Sequence, residues 1–203
     1  MRLLLGVPFL DEFLSECFGS GSITTVYGPA ATGKTLFCLL IAKSASKIGK
    51  VFYIDSEHDF SIERFKQINK TWQEDLKNII ISKPKSFTEQ KKIIFSLTPK
   101  GASAIIVDSI TRHYQTAGYP IKDLERQLII MRKLAKENNI PIILTSRVFT
   151  DPEKKTYHLY GEQVIKTYSK YLLKLEKAKK SIIAEYKNKK KFFRIGTEGI
   201  IPP

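Results

Sequence analysis

Eight consecutive residues, Gly28-Pro29-Ala30-Ala31-Thr32-Gly33-Lys34-Thr35, have the types and spacing to bind a phosphate chain. Two glycines five positions apart, followed by lysine and threonine, fit the Walker A pattern G-x-x-x-x-G-K-[ST]. Gly28 and Gly33 permit backbone turns that a Cβ would forbid, so consecutive N–H groups can point inward at an anion. Lys34 can reach the β- and γ-phosphates of a nucleotide, and the Thr35 hydroxyl is placed to ligate magnesium. The expected ligands are ATP and Mg2+.

Two carboxylates belong to the same chemistry. Asp108 closes the apolar run Ala104-Ile105-Ile106-Val107. A Walker B aspartate belongs at such a strand end, where it would hold magnesium through a water. Glu57 follows Tyr53-Ile54-Asp55-Ser56 at the C-terminal end of a second strand, the side of a parallel sheet on which ligands bind. It can orient or deprotonate a water for in-line attack, although spacing alone equally allows a surface acid.

These groups need a strand before the glycine loop and a helix after it. Ser22 to Tyr27 is short and β-branched, and Leu36 to Ala42 is apolar on most faces, as a buried helix should be. Further strands are expected at 51–55, 78–82, 104–108 and 140–145, and helices at 10–18, 62–68, 88–97 and 121–138. Their alternation predicts an α/β fold with a mostly parallel central sheet flanked by helices. After Thr150 a polar loop is expected to about Gly161. Strands at 171–175, 181–186 and 192–195 then form antiparallel hairpins. No linker divides the chain, so the expectation is one domain over 1–203, with a core at 1–150 and an antiparallel extension at 151–203.

A chain of 203 residues suits one well-buried domain, and no apolar run approaches the ~20 residues that span a bilayer. Residues 1–8 make a poor signal peptide, so a cytoplasmic protein without membrane contact is expected. Cys17 and Cys38 lack metal-ligand spacing and read as buried free thiols. The net charge is +14, and residues 151–203 hold 13 Lys/Arg against 6 Asp/Glu. That concentration favours a polyanionic partner, most simply nucleic acid, over a merely solvated surface.

The segments Tyr53 to Glu57, Phe60, Glu63-Arg64-Phe65, Gly28 to Thr35 and Ile105 to Thr111 together resemble the signature of RecA-family recombinases. Leu144-Thr145-Ser146-Arg147-Val148 and the stretch from Tyr160 to Leu173 extend the resemblance over nearly the whole chain. With Gly6 to Asp11 at the start and no helix-hairpin-helix domain before it, the chain is most similar to the archaeal RadA paralogues built of the ATPase core alone. The resemblance implies a RecA-like P-loop NTPase core, phosphate and magnesium binding by Lys34, Thr35 and Asp108, and a catalytic Glu57. It places Arg64 on the adenine. It also implies an accessory role in homologous recombination and DNA repair beside a RadA-type main recombinase, with weak ATP hydrolysis and no strand exchange of its own.

Departures qualify that picture. The family's glutamine sensor is Arg147 here, and the Asp-, Ser- and Pro-rich stretch that caps ATP across a filament in the family is missing around 187–191, so extended filaments are not expected. An ATPase domain similar to KaiC, acting on proteins without DNA, is the alternative. DNA contacts, single-stranded or branched and non-specific, are expected at Arg112, Tyr114, Arg147, Lys154 and Lys155, where basic and aromatic side chains mix.

Overall fold

The computed structural model describes residues 1–116, 118–150 and 157–203. A short helix α1 (Pro8–Phe13) precedes β1 (Ile23–Tyr27), the glycine loop and α2 (Lys34–Ser46). Next come β2 (Lys50–Asp55), α3 (Ile62–Ile68), α4 (Trp72–Leu76), β3 (Ile79–Ser82) and α5 (Phe87–Ser96). Strand β4 (Ala102–Asp108), α6 (Arg112–Thr116), α7 (Ile121–Asn138) and β5 (Ile142–Ser146) complete the first three quarters. The remainder holds β6 (Val148–Thr150), β7 (Tyr157–Leu159), α8 (Glu162–Tyr168), β8 (Tyr171–Lys177), β9 (Ile182–Tyr186), β10 (Lys189–Gly196) and β11 (Gly199–Ile201).

Local chemistry sets several of these boundaries. Ser61 and Ser86 cap α3 and α5 by accepting from the backbone N–H groups of Arg64 and Glu89, satisfying donors that the helix leaves over. Helix α7 ends where Asn139 turns left-handed at φ 49°. Asp11 accepts from the N–H groups of Leu5 and Val7, which ties the entry of α1 to the preceding chain.

Among the described residues the main sheet has the order β3-β2-β4-β5-β1-β8-β9-β10-β11. Strands β3 through β8 in that order pair in parallel. The β8–β9, β9–β10 and β10–β11 pairs are antiparallel. Parallel strands covered on both faces must bury nearly every side chain, and β4 does so. Ala104 and Ile106 point into a core beneath α1, α2 and α3, whereas Ile105 and Val107 point into a second core beneath α5, α7 and α8. Each such isoleucine contributes about 1.5–3 kcal/mol by leaving water.

Six segments differ from the sequence expectation, among them β11, which lies outside the expected strands. Helix α1 stops at Phe13, because Leu14 to Phe18 turn through non-helical backbone that ends with Phe18 at φ 59°. Helix α4 falls outside the expected elements, being only about one turn long. The post-β4 segment forms α6, which lies outside the expected helices. The expected loop before Gly161 contains a hairpin of β6 and β7, with Phe149 packed on His158 and Tyr160. Finally, α8 acts as a crossover that lays β8 parallel to β1, so the parallel sheet continues beyond Thr150. The antiparallel extension is therefore β9 to β11. Among the described residues, no helix is long and apolar enough to cross a membrane.

Candidate functional site

The strand register gathers the chemistry-bearing residues on one edge. Asp55 lies beside Asp108 across β2 and β4, and Tyr27 beside Ser146 across β1 and β5. The glycine loop, Glu57, Asp108 and Arg147 therefore all emerge from the C-terminal ends of parallel strands.

The glycine loop is shaped by its two glycines. A Cβ on Gly28 would fall 2.1 Å from the carbonyl oxygen of Leu175 in β8, so only glycine lets the chain leave β1 this close to that strand. Gly33 adopts φ 91° and caps α2, turning the helix N-terminus toward the loop. Thr32 Oγ1 donates to the Pro29 carbonyl at 2.9 Å and braces the arch. Lys34 Nζ lies inside it, donating to the carbonyls of Gly28 (2.8 Å) and Pro29 (2.7 Å). Burial lowers the Lys34 pKa, while Asp108 and Glu57 pull it back up. The adjoining cleft has a volume of about 550 Å³. Gly28, Ala30, Ala31, Gly33, Lys34, Thr35, Glu57, Asp108 and Arg147 line it, with Asp59, Val148 and Ile195.

Asp108 is the most enclosed acid in the cleft. Its carboxylate accepts from Thr145 Oγ1 at 2.5 Å and from the Tyr53 hydroxyl at 3.1 Å, and the Thr35 hydroxyl also bonds to it. Burial raises its pKa; the three hydroxyls oppose that rise. Its backbone carbonyl accepts from the N–H groups of Ser56 (2.7 Å) and Glu57 (3.0 Å), which fixes the strand end that carries Glu57. Asp55 completes the turn by accepting from the N–H groups of Asp59 and Phe60 and pairing with Lys83. A hydroxyl and a carboxylate meeting beside a backbone cradle are hard oxygen donors of the kind magnesium prefers.

Glu57 is engaged by two arginines. Arg147 Nε donates to Oε1 at 2.7 Å and Arg147 Nη2 to Oε2, a bidentate pair. Arg112 Nε lies 3.3 Å from the same Oε2. The sequence expectation set both arginines on DNA, and the structure turns both guanidinium groups onto Glu57. Tyr114 leans on Phe87 and packs against the α5–α7 core. Arg64 is absent from the cleft lining; its guanidinium donates to the carbonyls of Gly196 and Thr197 and to Gln67 Oε1. Pro29 and Thr32 support the loop from behind. Lys154 and Lys155 lie outside the described residues.

Sequence reasoning missed Tyr53, Thr145, Asp59 and Ile195. A signal existed for Tyr53, which shares a face of β2 with Asp55 because side chains alternate along a strand.

A glycine-rich arch, a buried strand-end aspartate and a carboxylate on the neighbouring strand, set on this sheet order, define a RecA-like P-loop NTPase core. The chain belongs to the Rad51 family, whose model matches residues 1–181. It is similar to the "DNA repair and recombination protein RadB" of Pyrococcus abyssi, with 35% identity over 185 residues covering 87% of this chain and 80% of that protein. The protein of the same name from Methanocaldococcus jannaschii is 37% identical over 180 residues, covering 83% and 84%. A solved structure described as the crystal structure of the RadB recombinase matches with TM-score 0.85 and 31% identity, covering 100% of both chains.

Proposed function

We propose that this chain is an ATP-binding, DNA-binding accessory protein of homologous recombination and DNA repair. In this reading it hydrolyses ATP slowly and modulates a RadA-type main recombinase without performing strand exchange itself. The observation that carries the reading is the cleft that brings Lys34, Thr35, Asp108 and Glu57 together on the C-terminal edge of the sheet. Names borne by the similar proteins, repair and recombination among them, support the cellular role.

Each side chain has one task in this reading. The arch from Gly28 to Gly33 turns its N–H groups on the phosphates, and Lys34 leaves its two carbonyl partners to contact them. Thr35 and Asp108 would hold magnesium, which when bound neutralises charge on the phosphates. Tyr53 and Thr145 keep the Asp108 carboxylate aimed into the cleft. Glu57 orients the attacking water and takes its proton. Nucleotide serves as a conformational switch more than as fuel, so slow turnover is compatible with the role. The charge of +14 supplies non-specific attraction to a polyanion.

Single-stranded DNA binding across a salt series, with and without ATP–magnesium, tests this together with phosphate release. With about four phosphates neutralised on a single strand, affinity should fall about 50-fold between roughly 50 and 200 mM salt. Binding should respond to ATP, and hydrolysis should be slow. Absence of DNA binding near physiological salt, with steady hydrolysis, would overturn the DNA-directed role.

A further inference from the structure

Glu57 is the base assigned to the attacking water, yet each of its oxygens already accepts a charge-assisted hydrogen bond. Its side chain is 8% exposed, and both oxygens accept from guanidinium N–H groups. Arg112 adds a second cation at 3.3 Å, so two positive charges meet one negative charge. We propose that Arg147, assisted by Arg112, is a positioning residue that restrains Glu57 and sets the rate of ATP hydrolysis. This rests on the assignment of Glu57 and the cleft given above.

The restraint is mounted on rigid backbone at both ends. The Glu57 N–H is held by the Asp108 carbonyl, and neighbouring Ser56 bonds through Oγ to the buried Gln90 at 2.7 Å. The N–H of Arg147 donates to Thr111 Oγ1 at 3.2 Å, and Thr111 is tied in turn to Ser146 at 3.0 Å. Carboxylate and guanidinium thus meet directly from the ends of two strands, β2 and β5, in the lining of the cleft. An arginine fork matches a carboxylate at two points and holds its plane, which a point-charge lysine cannot do.

Hydrolysis forms a bond from the water oxygen to the γ-phosphorus and breaks the bond to the bridging oxygen, which leaves on ADP. The proton lost by the water must go to an acceptor, here a Glu57 oxygen. That oxygen is held toward Arg147 while the pair is closed, so turnover is favoured when the pair opens. Arg112, in α6 just after β4, reaches the same carboxylate and adds to the hold.

The test measures steady-state ATP hydrolysis and, separately, affinity for a non-hydrolysable ATP analogue. Arg147→Met keeps much of the side-chain length and removes both hydrogen bonds. Its kcat should rise at least about tenfold with little change in KM, since loss of even one of the two charge-assisted hydrogen bonds from the ground state is worth that factor. Arg147→Lys should fall between parent and Arg147→Met. The rise should vanish when Arg147→Met is combined with Glu57→Gln, an outcome that a loosened fold would not produce. Arg112→Gln gives an independent arm and should raise kcat about threefold, the worth of a partly exposed ion pair. Unchanged or lower kcat in both Arg147→Met and Arg112→Gln, with analogue affinity retained, would overturn the restraint while leaving the site reading intact. A parent protein that binds no analogue would overturn the site reading and the restraint with it.

Discussion

Gly28→Ala concentrates the reasoning about the phosphate arch into one methyl group. The added Cβ would lie 2.1 Å from the Leu175 oxygen and 3.0 Å from its carbonyl carbon. Carbon–oxygen contacts ordinarily sit at about 3.3 Å, so the loop and β8 must separate by roughly 1.2 Å. Both contacting atoms are backbone, and no rotamer change relieves them. Overpacking of this kind costs about 3 kcal/mol, at the upper end of the usual range. For a domain of this size, each kcal/mol lowers the melting temperature by about 2–4 °C, giving a fall of about 6–12 °C. Gly101→Ala separates clash from backbone strain. Gly101 also has a positive φ, 72°, but nothing lies within 4 Å of where its added Cβ would sit. That variant should lose about 1–2 kcal/mol. Thermal unfolding followed by circular dichroism reads both. A Gly28→Ala protein melting no lower than Gly101→Ala would refute the claim that β8 shapes the arch.

Two further outcomes follow from local chemistry. Burial pushes the Cys17 thiol up to about 12 from its ordinary 9.0. The unfolded thiol ionises first, so the folded state holds the extra proton between those values and stability must fall as pH rises through that window. The loss attributable to Cys17 is about 1.4 kcal/mol per pH unit above roughly 9, measurable as the difference in urea unfolding between parent and Cys17→Ala; parallel pH profiles would contradict it. Ser86→Ala removes the cap on Glu89 N–H while Glu89 still reaches back to the Lys85 N–H. It should cost about 1 kcal/mol and lower the melting temperature by about 2–4 °C, and an unchanged melting curve would show the cap to be idle.

What the chain reveals before folding is what is local. The glycine loop, the strand before it and the helix after it are contiguous in sequence, and their spacing carries the chemistry directly. Helix α7 was legible to both ends because its apolar face repeats over 18 residues. The Glu57–Arg147 pair was not, since 90 residues separate its members and only the sheet order brings them together. Tyr53 and Thr145 reach Asp108 from the two strands flanking β4, and a sequence carries no strand register. The parallel pairing of β8 with β1 depended on α8, whose 7 residues carry too weak a period to announce a crossover. Arg64 was placed by motif position alone, and the partners the structure gives it are Gln67 and the carbonyls of Gly196 and Thr197.

The most direct test of the account is titration of ATP–magnesium into the protein and into Lys34→Ala. Lys34 Nζ sits in the arch on the Gly28 and Pro29 carbonyls, where the phosphates belong in this reading. Loss of the charge-assisted hydrogen bonds that Lys34 would make to the β- and γ-phosphates should weaken binding at least about 100-fold while the variant stays folded. A folded Lys34→Ala protein that binds ATP as tightly as its parent would contradict the phosphate-binding assignment on which the proposed function stands.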